Sequence, residues 1–165
     1  MRRRMLTFAS ISGLALFALA AVVAAQEPAA VNTEAMKIAQ KVTEQGAATF
    51  DTFDAKAMAA TYLTDAELVV VTKEDGSLKY QRHAGRTAIE EQYAGVFKNP
   101  QTIKSKNLVE YARLIAPDVL VIAGIFDMNT LTPDSPKIPF YQVRVRKGDA
   151  WMISSMRIYV LPQNE

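Results

Sequence analysis

The chain has no cysteine and a single histidine, His83, in 165 residues. The first absence removes disulfides, thiol nucleophiles and thiolate metal ligands. The second removes any site built from two imidazoles. Neither a metal nor a cofactor is expected on these grounds. Without disulfides the domain must be held by its core, and about 140 residues beyond the N-terminal segment are enough to bury one.

A strong charge of either sign is also missing. The formal net charge is +2, but three of the basic residues are Arg2, Arg3 and Arg4 at the extreme N-terminus. Setting residues 1–25 aside leaves 16 Lys and Arg against 17 Asp and Glu, a net charge of −1. A nucleic-acid partner would call for a clustered basic stripe, and none is present.

Residues 1–25 are read as an export signal peptide. Arg2–Arg4 form a basic start, and the stretch from Leu6 to Val23 is apolar, broken only by short polar or small residues such as Ser10, Ser12 and Gly13. Val23-Ala24-Ala25 then supplies small residues for cleavage before Gln26-Glu27-Pro28. This implies a periplasmic or secreted protein with no membrane attachment after cleavage. An uncleaved anchor is the alternative, since the apolar run is about long enough to span if tilted. The arginine run also loosely fits a twin-arginine signal. No cysteine follows the apolar run, so a lipid anchor on cysteine is excluded.

Residues 26–31 are a short linker, 32–162 one domain and 163–165 a tail. From Asn32 to Asp54 the apolar positions fall at helical spacing, with Gly46 inside the pattern. Asp54 caps a second, Ala-rich helix from Ala55 to Leu63. The run Leu68-Val69-Val70-Val71 is too short and too β-branched for a helix and is read as a strand over Ala66–Thr72. Glu74-Asp75-Gly76 is a hairpin turn leading to a strand over Leu78–His83. Gly85 breaks that strand, and a third helix runs from Thr87 to Phe97. Strands follow over Thr102–Ile115, Val119–Thr130, Ile138–Lys147 and Ala150–Pro162. Three helices followed by antiparallel strands define an α+β domain.

Four stretches in this order carry a resemblance: Phe50-Asp51-Thr52-Phe53-Asp54, Tyr62-Leu63-Thr64-Asp65-Ala66, Gly85-Arg86-Thr87-Ala88-Ile89 and Gly148-Asp149-Ala150-Trp151-Met152-Ile153. Residues 32–162 resemble the SnoaL-like family of the nuclear-transport-factor-2-like superfamily. The resemblance implies a cone, in which a curved antiparallel sheet wraps a long N-terminal helix and two shorter ones, with a pocket at its open end. It also implies a homodimer formed through the outer sheet face. Family members include isomerases, dehydratases, assembly modules and binding proteins, so the fold does not dictate the function. The ketosteroid isomerase chemistry of this fold uses a strand Asp, a helix Tyr and a protonated Asp. Counting from Tyr62 and Asp65 places these roles at Val70, Gly46 and Phe140, none of which can fill them.

The reading that follows is an exported protein whose pocket binds a small organic molecule. The alternatives are a cofactor-free acid–base enzyme of isomerase, lyase or hydrolase type, and a dimerisation or assembly module. His83 and Asp127 are the candidate catalytic groups. Tyr62, Tyr93, Tyr111, Asp127, Ser155, Arg157 and Tyr159 are the candidate ligand-binding residues, with Tyr141 a further aromatic near the pocket. Strand alternation puts Trp151, Ile153, Ser155, Arg157 and Tyr159 on one inward face, with the first two in the core. Arg157 would then hold an acidic oxygen of the ligand and pair with Asp127 when the pocket is empty. On the preceding strand, Gln142, Arg144 and Arg146 are expected to meet solvent or a dimer partner.

Overall fold

The computed structural model describes residues 33–162. The export signal, the linker and the tail read from the sequence lie outside the described residues. Three helices and six strands follow in the order α1 (Thr33–Phe50), α2 (Ala55–Ala60), β1 (Tyr62–Glu74), β2 (Ser77–Ala84), α3 (Arg86–Val96), β3 (Lys106–Ala116), β4 (Val119–Asp127), β5 (Lys137–Lys147) and β6 (Ala150–Val160). Among the described residues no helix is long and apolar enough to cross a membrane.

Helix α1 buries Ala35, Ala39, Val42, Ala47 and Phe50, the stripe expected of an amphipathic helix. It stops at Phe50, four residues before the expected Asp54. Residues Asp51 to Phe53 turn instead, and Phe53 takes a positive φ of 54°. Asp54 then caps α2, its carboxylate accepting from the Ala57 N–H at 2.9 Å. The start of β3 is tied to α1 by polar bonds. Asp51 accepts from the Ser105 N–H at 3.0 Å, the Ser105 hydroxyl donates to the Ala47 carbonyl, and the Asn107 amide donates to the Thr43 carbonyl.

The sheet runs in the order β2-β1-β6-β5-β4-β3. Only β1 and β6 pair in parallel; the other neighbours are antiparallel. The β1–β2 turn falls at Asp75-Gly76 as the sequence predicts, with φ of 49° and 76°, the left-handed pair of a two-residue hairpin. Strand β1 begins at Tyr62, well before the expected Ala66. Tyr62 already pairs with Ile153 before a register shift sets the rest of the strand. Gly85 caps α3 with a φ of 83°, and the Arg86 guanidinium clamps the Tyr62 carbonyl with Nε at 3.1 Å and Nη2 at 2.6 Å.

The inner face of the sheet carries two core clusters. One gathers Phe50, Met58, Tyr62, Leu68, Ile89 and Tyr93 beneath α2 and α3. The other gathers Ala39, Val42, Ala112, Leu120, Ile122 and Phe140 beneath α1. Phe126, Met156 and Ile158 pack against both. Burying each large apolar side chain contributes about 1.5–3 kcal/mol. Gly124 permits a close approach of β4 to β3, since a Cβ there would stand 2.1 Å from the Leu108 carbonyl oxygen. That contact lies beside the irregularity in β3, between Val109 and Tyr111.

The last strand departs from simple alternation. Across β5, Val143 pairs with Ser155 but Arg144 pairs with Ile153, so Ser154 is an extra residue. This bulge changes the inward phase of β6. Trp151 and Ile153 face the core before it, and Met156 and Ile158 face the core after it.

Candidate functional site

A cavity of about 300 Å³ lies between the inner sheet face and the helices. Most of its wall is apolar, built from residues such as Phe50, Leu68, Val70, Phe126, Met156 and Ile158. It opens toward Val96 and Val160, which line it and are themselves exposed. Gly46 and Val70 both line it.

Among the polar side chains that line it, Tyr62 with Tyr93 and Gln142 with Arg144 form two hydrogen-bonded pairs, and Arg144 lies within the fields of both phenols. The Tyr62 and Tyr93 hydroxyls lie 2.9 Å apart, and the Tyr62 hydroxyl also donates to Met156 Sδ at 3.0 Å. Burial raises the pKa of both phenols, which are neutral at physiological pH.

Arg144 is 5% exposed. Its Nε donates to Gln142 Oε1 at 2.9 Å and its Nη1 to the Trp151 carbonyl at 3.0 Å. Nη2 has no hydrogen-bond partner among the described residues, and it lies 3.9 Å from where a Cβ on Gly46 would stand. Burial pushes the guanidinium down to about 10, against the fields of Tyr62 and Tyr93. It remains charged at neutral pH. No ion pair involving Arg144 occurs among the described residues, and it is the one charged residue among those lining the cavity. Arg144, Gly46 and Thr61 also line a groove on the other side of this wall, between α1, α2 and the start of β6.

The sequence expectations meet this site in part. Tyr62 and Tyr93 line the cavity. Tyr111 and Tyr141 do not: they are 48% and 44% exposed and lie on the outer face. One cross-strand row there runs Tyr111, Ala123, Tyr141, Arg157, Val69, Arg82. Arg157 is therefore exposed on the outer face, and Ser155 and Tyr159 share its side of the strand, paired with Glu67 and Val71. The cause is the extra residue at Ser154, which reverses the phase read from Trp151 and Ile153. Ile153 is buried as expected; Trp151 is half-buried and borders the groove beside α1.

Asp127 ends β4 and forms an ion pair with Lys137, not with Arg157. Desolvation would raise its carboxyl, but bonds from Lys137 and Ser135, the Lys137 charge and the Asn129 N–H outweigh it and hold the pKa low. His83 sits on β2 opposite Leu68, half-buried and outside the cavity lining, with an Nε2 that has no hydrogen-bond partner. Gln142 and Arg144, expected at solvent or a partner, face inward from β5 with Ile138 and Phe140. Tyr141 and Val143 take the outward positions beside Ala123 and Val121.

No family model and no curated protein matches the chain. Solved structures do. A putative scytalone dehydratase from Novosphingobium aromaticivorans superposes with a TM-score of 0.58 at 11% identity, covering 78% of this chain and 85% of that one. An NTF-2 like protein of unknown function from Shewanella oneidensis gives 0.56 at 15% identity, covering 75% and 97%. A putative calcium/calmodulin dependent protein kinase II association domain from Xanthomonas campestris gives 0.56 at 19%, covering 82% and 95%. The chain has the nuclear-transport-factor-2-like fold, a mixed α+β arrangement with a six-stranded curved open sheet.

Proposed function

We propose that the protein is an exported, SnoaL-like cone domain that binds a small organic molecule in its cavity without transforming it. The observation that carries this reading is the cavity itself: a largely apolar enclosure whose polar side chains include the hydrogen-bonded pairs Tyr62–Tyr93 and Gln142–Arg144. Acid–base catalysis is the competing reading, since similar solved structures include a ketosteroid isomerase-like protein and the putative dehydratase. What favours binding is that neither a carboxylate nor an imidazole stands among the lining residues, which leaves no conventional base at neutral pH.

The test is a thermal-shift screen of small amphipathic molecules, followed by a crystal structure of any that bind. Binding in the cavity with the molecule recovered unchanged supports the reading; turnover of the bound molecule replaces it with the enzymatic one. Export rests on residues 1–25. Mass spectrometry of protein from its own host should show a mature N-terminus near Gln26, and full-length chain held in the membrane fraction would sink the secreted reading.

The outer sheet face supports a homodimer. Leu108, Tyr111 and Tyr141 are large exposed residues there, and one similar structure is a putative association domain. Sedimentation should give a dimer that Tyr111→Lys with Tyr141→Lys converts to monomer.

A further inference from the structure

We propose that the cavity takes an organic monoanion, carboxylate in type, with Arg144 as its anchor and the apolar wall holding the rest of the molecule. The inference rests on the small-molecule-binding reading above and names the class of molecule.

An isolated charge removed from water is costly unless it is paired. Arg144 is 5% exposed and has no ion pair among the described residues. Its surroundings hold it without neutralising it. Gln142 and the Trp151 carbonyl engage Nε and Nη1, which fixes the guanidinium plane and leaves Nη2 unpartnered. A side chain serving only to fasten the bulge at Ser154 would not need a full charge. With Nε and Nη1 held, Nη2 is the donor left to receive an oxygen of an incoming carboxylate.

The rest of the lining limits the ligand. The other polar groups near the guanidinium, Tyr62, Tyr93 and Gln142, are neutral, so a single cation faces a single negative charge. A dianion such as a phosphate monoester would bring a second charge with no countercharge in the wall. Tyr93 lies within the field of Arg144, and its neutral phenol adds no charge to the site. The apolar side chains of Phe50, Leu68, Phe126 and Ile158 require a ligand body of hydrocarbon or aromatic character.

The experiment uses isothermal titration calorimetry at pH 7 with trans-cinnamate, octanoate and 1-naphthoate, each paired with its primary amide. The amide keeps the shape and removes the charge. The expected result is at least about a tenfold preference for the acid in each pair that binds, the scale of a charge-assisted hydrogen bond. Arg144→Met should abolish the preference, Arg144→Lys should retain part of it, and Arg157→Ala on the outer face should leave it unchanged. The wild-type comparison stands even if Arg144→Met does not fold. Acid and amide binding equally well in the cavity overturns this inference and leaves the binding function intact. Binding of none of the six overturns both.

Discussion

Arg144 Nε donates to Gln142 Oε1 at 2.9 Å between two residues of one strand that share its inner face. A charged fork and its neutral brace therefore project together from β5 into the apolar side of the sheet. This is a polar pair where the core would accept hydrocarbon, and it has consequences for stability as well as binding.

Replacing the pair by apolar residues of similar size, Arg144→Met with Gln142→Leu, should stabilise the fold by about 1–4 kcal/mol, as removal of a costly buried polar cluster can. Denaturant melts should show a higher midpoint at an unchanged slope. A lower midpoint would mean that the Trp151 carbonyl and the bulge depend on the guanidinium more than desolvation opposes it.

Alkaline titration should separate Tyr62 and Tyr93 from the other tyrosines. Burial raises both phenols, and a group whose folded pKa lies above its unfolded value adds stability that is full below about pH 10 and lost as pH rises beyond it. Of six tyrosines, two should withhold their tyrosinate absorbance until the protein unfolds. Tyr62→Phe and Tyr93→Phe should each remove one of them; six tyrosines ionising together in the native state would show that the pair is open to water.

Gly124→Ala should destabilise by about 1–3 kcal/mol or more, the usual cost of overpacking. The added carbon would fall 2.1 Å from a backbone oxygen, Leu108 O, and a backbone atom cannot swing aside as a side-chain tip can. A melt that overlays the wild type would require β3 to shift as a unit.

Gly46→Ala should have the opposite sign. The nearest atom to the new carbon is Arg144 Nη2 at 3.9 Å, an ordinary contact, and alanine in a helix interior is favoured over glycine by roughly 1 kcal/mol. Thermal unfolding should move up by a few degrees. A fall would show that α1 must bend at this position.

The turns were the most legible part of the chain. Asp75-Gly76, Gly85 and Gly148 each take the positive φ that their residues allow, and these points delimit β1, β2, α3, β5 and β6. The facing of the strands was harder. On β5 the outward row Tyr141, Val143, Val145 is as apolar as a core row, so hydrophobic alternation could not distinguish inside from outside. On β6 alternation gives the right face up to Ile153 and the wrong one from Ser155, because one extra residue at Ser154 costs nothing in composition and leaves no local mark. Tyr62 and Tyr93 could be placed at the cavity because neither lies beyond that bulge or on the ambiguous strand. Arg144 lies opposite the bulge and escaped both rules.

Strand β1 has its partners at opposite ends of the chain's timetable. On one side it meets β2, made immediately after it; on the other it meets β6, with Val69 set against Arg157. A ribosome delivers the hairpin early and its second neighbour last. Until β6 emerges, the β1–β2 hairpin has no hydrogen-bonded link to β3, β4 and β5, and the wall carrying Leu68 and Val70 cannot be joined to the wall carrying Gln142 and Arg144. The enclosure is thus completed only by the final strand, and a chain cut short within β6 would leave its two walls on separate pieces of sheet.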